Sequence, residues 1–101
     1  MGGIVIPLNK GSEFELDVPW VNADKTPANL TGFAATLFDT VNTATMTATV
    51  GGVGNQFVQL RMTGANVLAN LLMGPVNTFR IKLTPPNGKP ITSNLLVIDV
   101  R

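Results

Sequence analysis

A strict two-residue alternation over residues 14–20 constrains the fold of this chain more than any other feature. Large apolar side chains take every second position, which are Phe14, Leu16, Val18 and Trp20. Successive side chains of a strand point to opposite faces, so the pattern predicts a strand with one buried face. A polar stretch at 22–27 predicts a turn, and apolar residues return at Leu30 and Phe33. Residues 12–38 therefore predict a strand–turn–strand unit on which other strands pack.

Further alternating segments predict the rest of the sheet structure. They cover residues 2–8, 34–39, 43–50, 56–62, 76–84 and 92–101. Turn signals separate several of them, at 9–11, 51–55 and 85–90. Six to eight short strands with turns every eight to twelve residues predict an all-β fold, an immunoglobulin-like antiparallel β-sandwich. A small barrel is the alternative. The length of 101 residues predicts one domain spanning 1–101.

The period changes once, between residues 63 and 74. Apolar residues at helical spacing are Val67, Leu68, Leu71 and Leu72. Thr63 is a good first cap, Gly74 suits a left-handed end, and Pro75 prevents continuation. The pattern predicts one short helical turn near 64–73. Such a short helix is unstable alone, so it must pack against the sheets.

Composition limits the classes of partner. Only 13% of residues are charged, against about 25% in typical soluble domains, and the net charge is +1. A surface poor in charge favours contact with other protein copies, although a plain domain rich in Thr and Asn fits as well. Lys and Arg residues are not clustered, so the sequence does not predict nucleic-acid binding. The chain contains no apolar run of about eighteen residues, so no membrane span is predicted. Its first residues lack the pattern of a signal peptide.

The residues that carry most enzyme chemistry are absent or unsupported by a motif. The chain has no Cys and no His, which removes disulfides, the usual zinc ligands and most nucleophilic dyads. Glu13, Glu15 and Asp17 share one strand face. Calcium ligands converge within about 2.5 Å of the ion, whereas alternate strand residues lie about 7 Å apart. These acids are therefore interpreted as a solvated face, and we expect no enzyme activity, metal or cofactor. Trp20 fits a core anchor, with a sugar platform as the alternative.

Two strands are candidate docking elements. Pro7 lacks a ladder donor, which places the first strand at a sheet edge, where a partner strand could pair with it. Residues 95–98 are apolar on both faces, so one face needs a cover, either the short helix or a partner chain. The candidate interface residues are Ile4, Ile6, Leu8, Leu95 and Val97.

The order of several motifs resembles a family of small tailed-phage virion proteins. The motifs are Gly-Ser-Glu-Phe at 11–14, Pro-Trp-Val-Asn-Ala-Asp-Lys-Thr-Pro at 19–27, Leu-Thr-Gly-Phe at 30–33, and the segments 66–74, 79–88 and 95–100. Together they are similar to the N-terminal domain of phage baseplate upper proteins over nearly the whole chain. Lys25 replaces the usual turn glycine and Phe33 the usual tyrosine. The resemblance implies a β-sandwich without enzymatic activity in an assembled particle.

The expected function is therefore structural. The chain would act as an assembly or attachment module in the tail, baseplate or fibre region of a virion assembled in the host cytoplasm. Its partners would be other phage structural proteins, and it would be oligomeric in the particle, without nucleic-acid or membrane contact. One alternative is a capsid decoration protein that stabilises the head. A second is a host-surface glycan-binding module.

Overall fold

Two β-sheets packed face to face form the protein. A computed structural model describes residues 4–22 and 24–101. The strands are β1 (Ile4–Leu8), β2 (Phe14–Pro19), β3 (Ala34–Phe38), β4 (Thr47–Gly51), β5 (Phe57–Met62), β6 (Gly74–Thr84), β7 (Ile91–Thr92) and β8 (Leu96–Val100). One helix, α1 (Gly64–Asn70), and a short 3-10 turn at Val53–Asn55 complete the described elements. The predicted all-β sandwich is confirmed. The strand predicted over 2–8 includes Gly2 and Gly3, and the turn predicted over 22–27 includes Ala23; these three residues lie outside the described residues.

The strand order has immunoglobulin-like connectivity. The larger sheet runs β1-β8-β6-β3, with β7 also paired to β6, and the smaller sheet runs β2-β5-β4. With β2-β5-β4 as strands B-E-D and β8-β6-β3 as G-F-C, the order is that of an immunoglobulin domain, except that β1, the counterpart of strand A, lies beside β8. One pair departs from the antiparallel prediction, because β1 and β8 run parallel in a register that places Ile4 opposite Leu96 and Leu8 opposite Val100. Alternation alone does not specify strand direction.

The core lies between the sheets and follows the alternation read from the sequence. The longer strands turn one set of side chains inward, and the fully buried strand residues include Val58, Leu60, Phe79, Ile81, Leu83 and Ile98. Trp20 is partly buried and packs against this cluster, as the core-anchor interpretation predicted. Ala28 and Leu30, in the loop after β2, are also buried. The loop after β2 therefore belongs to the core.

The helix is shorter than its apolar pattern predicted. Thr63 caps its start as expected, accepting a hydrogen bond at Oγ1 from the Asn66 N–H at 3.2 Å. The helix ends before Leu71, whose backbone is extended. Gly74 has the expected positive φ of 91°, but it opens β6 instead of ending the helix. Only Val67 and Leu71 of the apolar set are buried.

Two predicted strands also differ in extent. The strand predicted over 43–50 begins only at Thr47, because Thr43 is fully buried and donates its hydroxyl to the Thr78 carbonyl at 3.2 Å. The closing strand predicted over 92–101 is split into β7 and β8. The Ser93 hydroxyl oxygen accepts the Ile81 N–H at 2.9 Å, which replaces a ladder bond. In both cases a Ser or Thr side chain competes with the sheet.

Candidate docking surfaces

The free edge of β1 offers few groups to a partner strand. Ile4 donates its N–H to the Leu95 carbonyl, and the Leu8 carbonyl accepts from the Arg101 N–H, both at 2.9 Å. In a parallel ladder, the backbone N–H and C=O groups of alternate residues bond to the same neighbouring strand. The backbone groups of the even-numbered residues of β1 therefore point towards β8. Val5 and Pro7 therefore face the free edge. Since proline has no N–H, Val5 holds the one edge-facing donor within β1.

The free edge of β2 also lacks a backbone N–H donor at a proline. The Trp20 N–H bonds to the Gln56 carbonyl at 3.1 Å, in continuation of the β2–β5 register. The even-numbered residues of β2 therefore face β5, and Pro19 faces the free edge without a donor. The side chains of Glu15 and Asp17 flank that edge. Proline and charge at an edge discourage strand addition, so the free edges of β1 and β2 are poorly suited to pairing with a partner strand.

The five predicted interface residues are divided between two sides of the larger sheet. Ile6 and Leu8 pack against the core, and they pair with the buried Ile98 and Val100 of β8. Ile4 occupies the same inward side but is 56% exposed, because it lies beside an open cavity. Val97 points outward beside the exposed Val5. Leu95 is half-buried just before β8.

The cover proposed for the outer face of β8 is not the helix. Helix α1 lies at one end of the sandwich, where Leu68 approaches Gly11 and the Asn70 amide reaches the Thr45 hydroxyl at 3.5 Å. The outward side of Val97 is thus left half-exposed by the described elements.

An exposed apolar surface extends from the helix into the start of β6. Four large side chains within nine residues are about half exposed, and this helix-end patch consists of Leu68, Leu72, Met73 and Val76. Pro75 between them is also exposed. Monomeric proteins rarely expose such a concentration of large apolar groups without a use for it.

Asn77 holds the patch in place. Its fully buried side chain accepts the Leu72 N–H at Oδ1 and donates from Nδ2 to the Leu72 carbonyl, both at 2.8 Å. Nδ2 also donates to the Ile98 carbonyl at 3.0 Å, and Oδ1 accepts from the Asn42 amide at 3.2 Å. The loop carrying Leu72 and Met73 is thereby fixed to β8, so the patch is ordered before any partner binds.

A groove opens at the other end of the sandwich around Trp20. Two cavities of about 350 and 320 Å³ share Trp20 and Val21 in their walls. This tryptophan groove is further lined by Ile4, Leu96 and Ile91. None of the residues lining either cavity is charged.

Six charged residues form three surface ion pairs, which are Asp17–Arg61, Asp39–Arg80 and Asp99–Arg101. The predicted acidic face is present, and Asp17 pairs with Arg61 across β2 and β5 at 2.8 Å. Within residues 4–22 and 24–101, no three acids converge on a position suited to a metal ion. In the same part of the chain, no helix is long and apolar enough to span a bilayer.

Hydrogen bonds from Thr26 shift the pKa of the Asp24 carboxyl. Its Oδ1 accepts the Thr26 hydroxyl at 2.6 Å and the Thr26 N–H at 3.1 Å. The hydroxyl bond first, and the backbone bond second, lower the pKa of this fully exposed carboxyl below its ordinary value. The interaction stabilises the turn after β2 and suggests no proton-transfer chemistry.

The helix-end patch was missed by the sequence prediction. No charged residue occurs between Arg61 and Arg80, but the interval between Asp39 and Arg61 is longer and also uncharged, so this feature does not distinguish the patch. The helical spacing was interpreted as one buried face, which hid the fact that Leu68 and Leu72 lie outside it.

Comparison with known proteins identifies no relative. No protein-family model, no curated protein and no solved structure matches this chain.

Proposed function

We propose that this chain is a non-enzymatic structural subunit of a tailed-phage virion, which docks on neighbouring subunits in the tail, baseplate or fibre region. The observation that carries the docking role is the helix-end patch. Its four large side chains are exposed, lie within nine residues of the sequence and are uncharged. Burying them against a partner would contribute a few kcal/mol at about 1.5–3 kcal/mol per fully buried side chain.

The fixation of the patch supports recognition over chance exposure. A loop that orders only on binding loses conformational entropy at that moment, which weakens the complex. Asn77 removes much of that cost, because both polar groups of Leu72 are already bonded to its side chain. A rigid, apolar surface of this kind suits a permanent contact in an assembly.

The virion context is supported by the motif order described above, and the docking mode is supported by the strand edges. Pro7 and Pro19 weaken pairing at the free edges of β1 and β2, so contact through the ends and faces of the sandwich is favoured over strand addition at these two strands. A capsid decoration role would use the same surfaces. A map of the particle separates the two, since tail components form rings or collars and decoration proteins cluster at local three-fold points.

Add-back to virions produced without this chain tests the proposal. We expect the purified wild-type protein to co-sediment with such particles, and we expect the double variant Leu72→Ser, Met73→Ser to lose most of that binding. Val53→Ser is the matched control, because Val53 is the most exposed large apolar residue but lies outside the patch. Wild-type protein that fails to bind any virion component would contradict the proposal.

A further inference from the structure

The connection between β6 and β7 contains an asparagine followed by a glycine. Asn87 and Gly88 are both exposed, and Pro86 and Asn87 form the turn itself. Asn87 is the one asparagine of the sequence that a glycine follows. Every other asparagine precedes a residue with a side chain, as Asn94 precedes Leu95. Position 88 therefore presents a backbone N–H next to an asparagine with no side chain to shield it.

The packing of the turn requires glycine at position 88. A Cβ built on Gly88 would lie 2.9 Å from Cγ of Pro85, closer than Cβ atoms approach a neighbour in folded proteins. Any other residue would have to displace the proline ring or distort the turn. The fold thus retains, directly after Asn87, the residue that hinders its own backbone nitrogen least.

We propose that Asn87 is a site of spontaneous deamidation in the folded protein. The deprotonated backbone nitrogen of Gly88 attacks Cγ of Asn87, so that a new N–Cγ bond closes a succinimide ring and the Cγ–Nδ2 bond breaks. Nδ2 leaves as ammonia, taking up a proton in place of the one that the Gly88 nitrogen lost. One water molecule then opens the ring at either carbonyl and yields aspartate or isoaspartate. The net reaction converts an amide and water into a carboxylic acid and ammonia, and it requires no oxidant or reductant.

Solvent access distinguishes Asn87 from asparagines that are held in place. Water reaches the exposed turn, so the Gly88 nitrogen can lose its proton and the ring can be hydrolysed in the folded state. Asn77 is fully buried, and its amide is bonded to the backbone of Leu72. The side-chain oxygen of Asn29 accepts two hydrogen bonds from Thr31. Such bonds oppose the rotation that brings Cγ against the following nitrogen, so the fold slows the reaction at these positions.

The modification changes the charge of the protein. Each conversion adds one carboxylate, so the formal net charge at pH 7 falls from +1 to zero. A net charge near zero promotes association between copies in solution. Isoaspartate also inserts a methylene into the backbone between β6 and the short β7, which begins at the exposed Ile91. The inference goes beyond the proposed function, because the reaction depends only on this turn and on water.

Peptide mapping of the folded protein tests the inference with a control inside one fragment. Trypsin does not cleave a lysine–proline bond, so a single peptide, residues 83–101, carries both Asn87 and Asn94. Asn94 is also exposed, but Leu95 follows it. After incubation at mildly alkaline pH, fragment masses give the deamidated fraction at each position. We expect the reaction at Asn87 to be about tenfold faster than at Asn94, which corresponds to a barrier difference of about 1.4 kcal/mol.

A variant and a denatured sample complete the experiment. Asn87→Gln keeps an amide in the turn but moves its carbonyl one methylene further from the Gly88 nitrogen. We expect this variant to lose the fast reaction at position 87 and to leave the slow reaction at Asn94 unchanged. Wild-type protein in urea gives the rate for the same sequence without the fold, and we expect the folded protein to react at a similar rate.

The outcomes decide whether the folded turn permits the reaction. Aspartate and isoaspartate at position 87, formed in the folded protein well ahead of any product at Asn94, would support the inference. Equal rates at Asn87 and Asn94 would overturn it. Product that accumulates in urea but not in the folded protein would overturn it as well, because the turn would then protect the amide.

Discussion

The side-chain amide of Asn77 forms a closed hydrogen-bonded ring with the backbone of Leu72. Each polar atom of the amide takes one backbone group of Leu72, at 2.8 Å in both directions. The ring joins a fully buried polar side chain to a residue whose own side chain is exposed. A core contact therefore determines the shape of a surface, which links the stability of the sandwich to the helix-end patch.

Replacing Asn77 with Ala should destabilise the protein by about 3 kcal/mol. The change leaves the buried carbonyl of Ile98 and both polar groups of Leu72 without partners, and each unsatisfied buried group costs about 1–3 kcal/mol before relaxation. Urea denaturation measures the free energy of unfolding. Asn87→Ala, at an exposed turn, is the control and should change stability by less than about 0.5 kcal/mol. Similar values for the two variants would show that the ring is not important for stability.

Leu30 tests whether the loop after β2 belongs to the core. It is 1% exposed although it lies in no strand, so Leu30→Ala should lower the free energy of unfolding by about 3 kcal/mol. Leu68→Ala removes the same atoms from a side chain that is 58% exposed, and we expect a loss below about 1 kcal/mol. Urea denaturation of both variants provides the comparison. A small effect at Leu30 would mean that the loop does not pack as described.

The strands were predictable because alternation is a local property. Phe14, Leu60 and Phe79 are buried where their neighbours in sequence are not, and that contrast is readable from the chain alone. The boundaries of β4 and β8 were not readable in this way. They depend on Thr43 bonding to Thr78 and on Ser93 bonding to Ile81, which are contacts between residues distant in sequence.

The candidate surfaces were only partly predictable for the same reason. The edge position of β1 followed from Pro7 alone. Only the register with β8 shows that Pro7 lies on the free side of β1. Because proline has no N–H, that register makes the edge poorly suited to pairing with another strand. The tryptophan groove places Trp20 with Ile4 in one cavity and with Ile91 in the other, and no local pattern encodes the proximity of residues so far apart in sequence.

The turn at Asp24 should contribute stability that depends on pH. A carboxyl whose pKa is lowered on folding stabilises the folded state above its unfolded pKa, near 3.8. That contribution is lost as the pH falls through the lower, folded pKa. Thr26→Ala removes the hydroxyl donor, so the pKa of Asp24 should rise towards its ordinary value, as measured by an NMR titration of its carboxyl resonance.

A second turn supplies the control for Asp24. Asn29 accepts the Thr31 hydroxyl at 2.6 Å and the Thr31 N–H at 3.0 Å, which repeats the Asp24–Thr26 geometry without an ionisable group. Thr31→Ala should therefore leave the pKa of Asp24 unchanged. An equal shift in both variants would indicate a general loosening of the loop and not the loss of one hydrogen bond.

Restoring an N–H at the free edges should make the protein prone to strand pairing. Pro7→Thr and Pro19→Thr each add a donor that faces away from the neighbouring strand, by the register of β1 with β8 and of β2 with β5. We expect both variants to aggregate faster than the wild type in light scattering at equal concentration, because an unpaired edge with regular donors recruits another chain. Pro90→Thr, in an exposed turn, should behave as the wild type. If the edge variants remain as dispersed as that control, proline is not what protects these edges, and strand addition returns as a docking mode for β1.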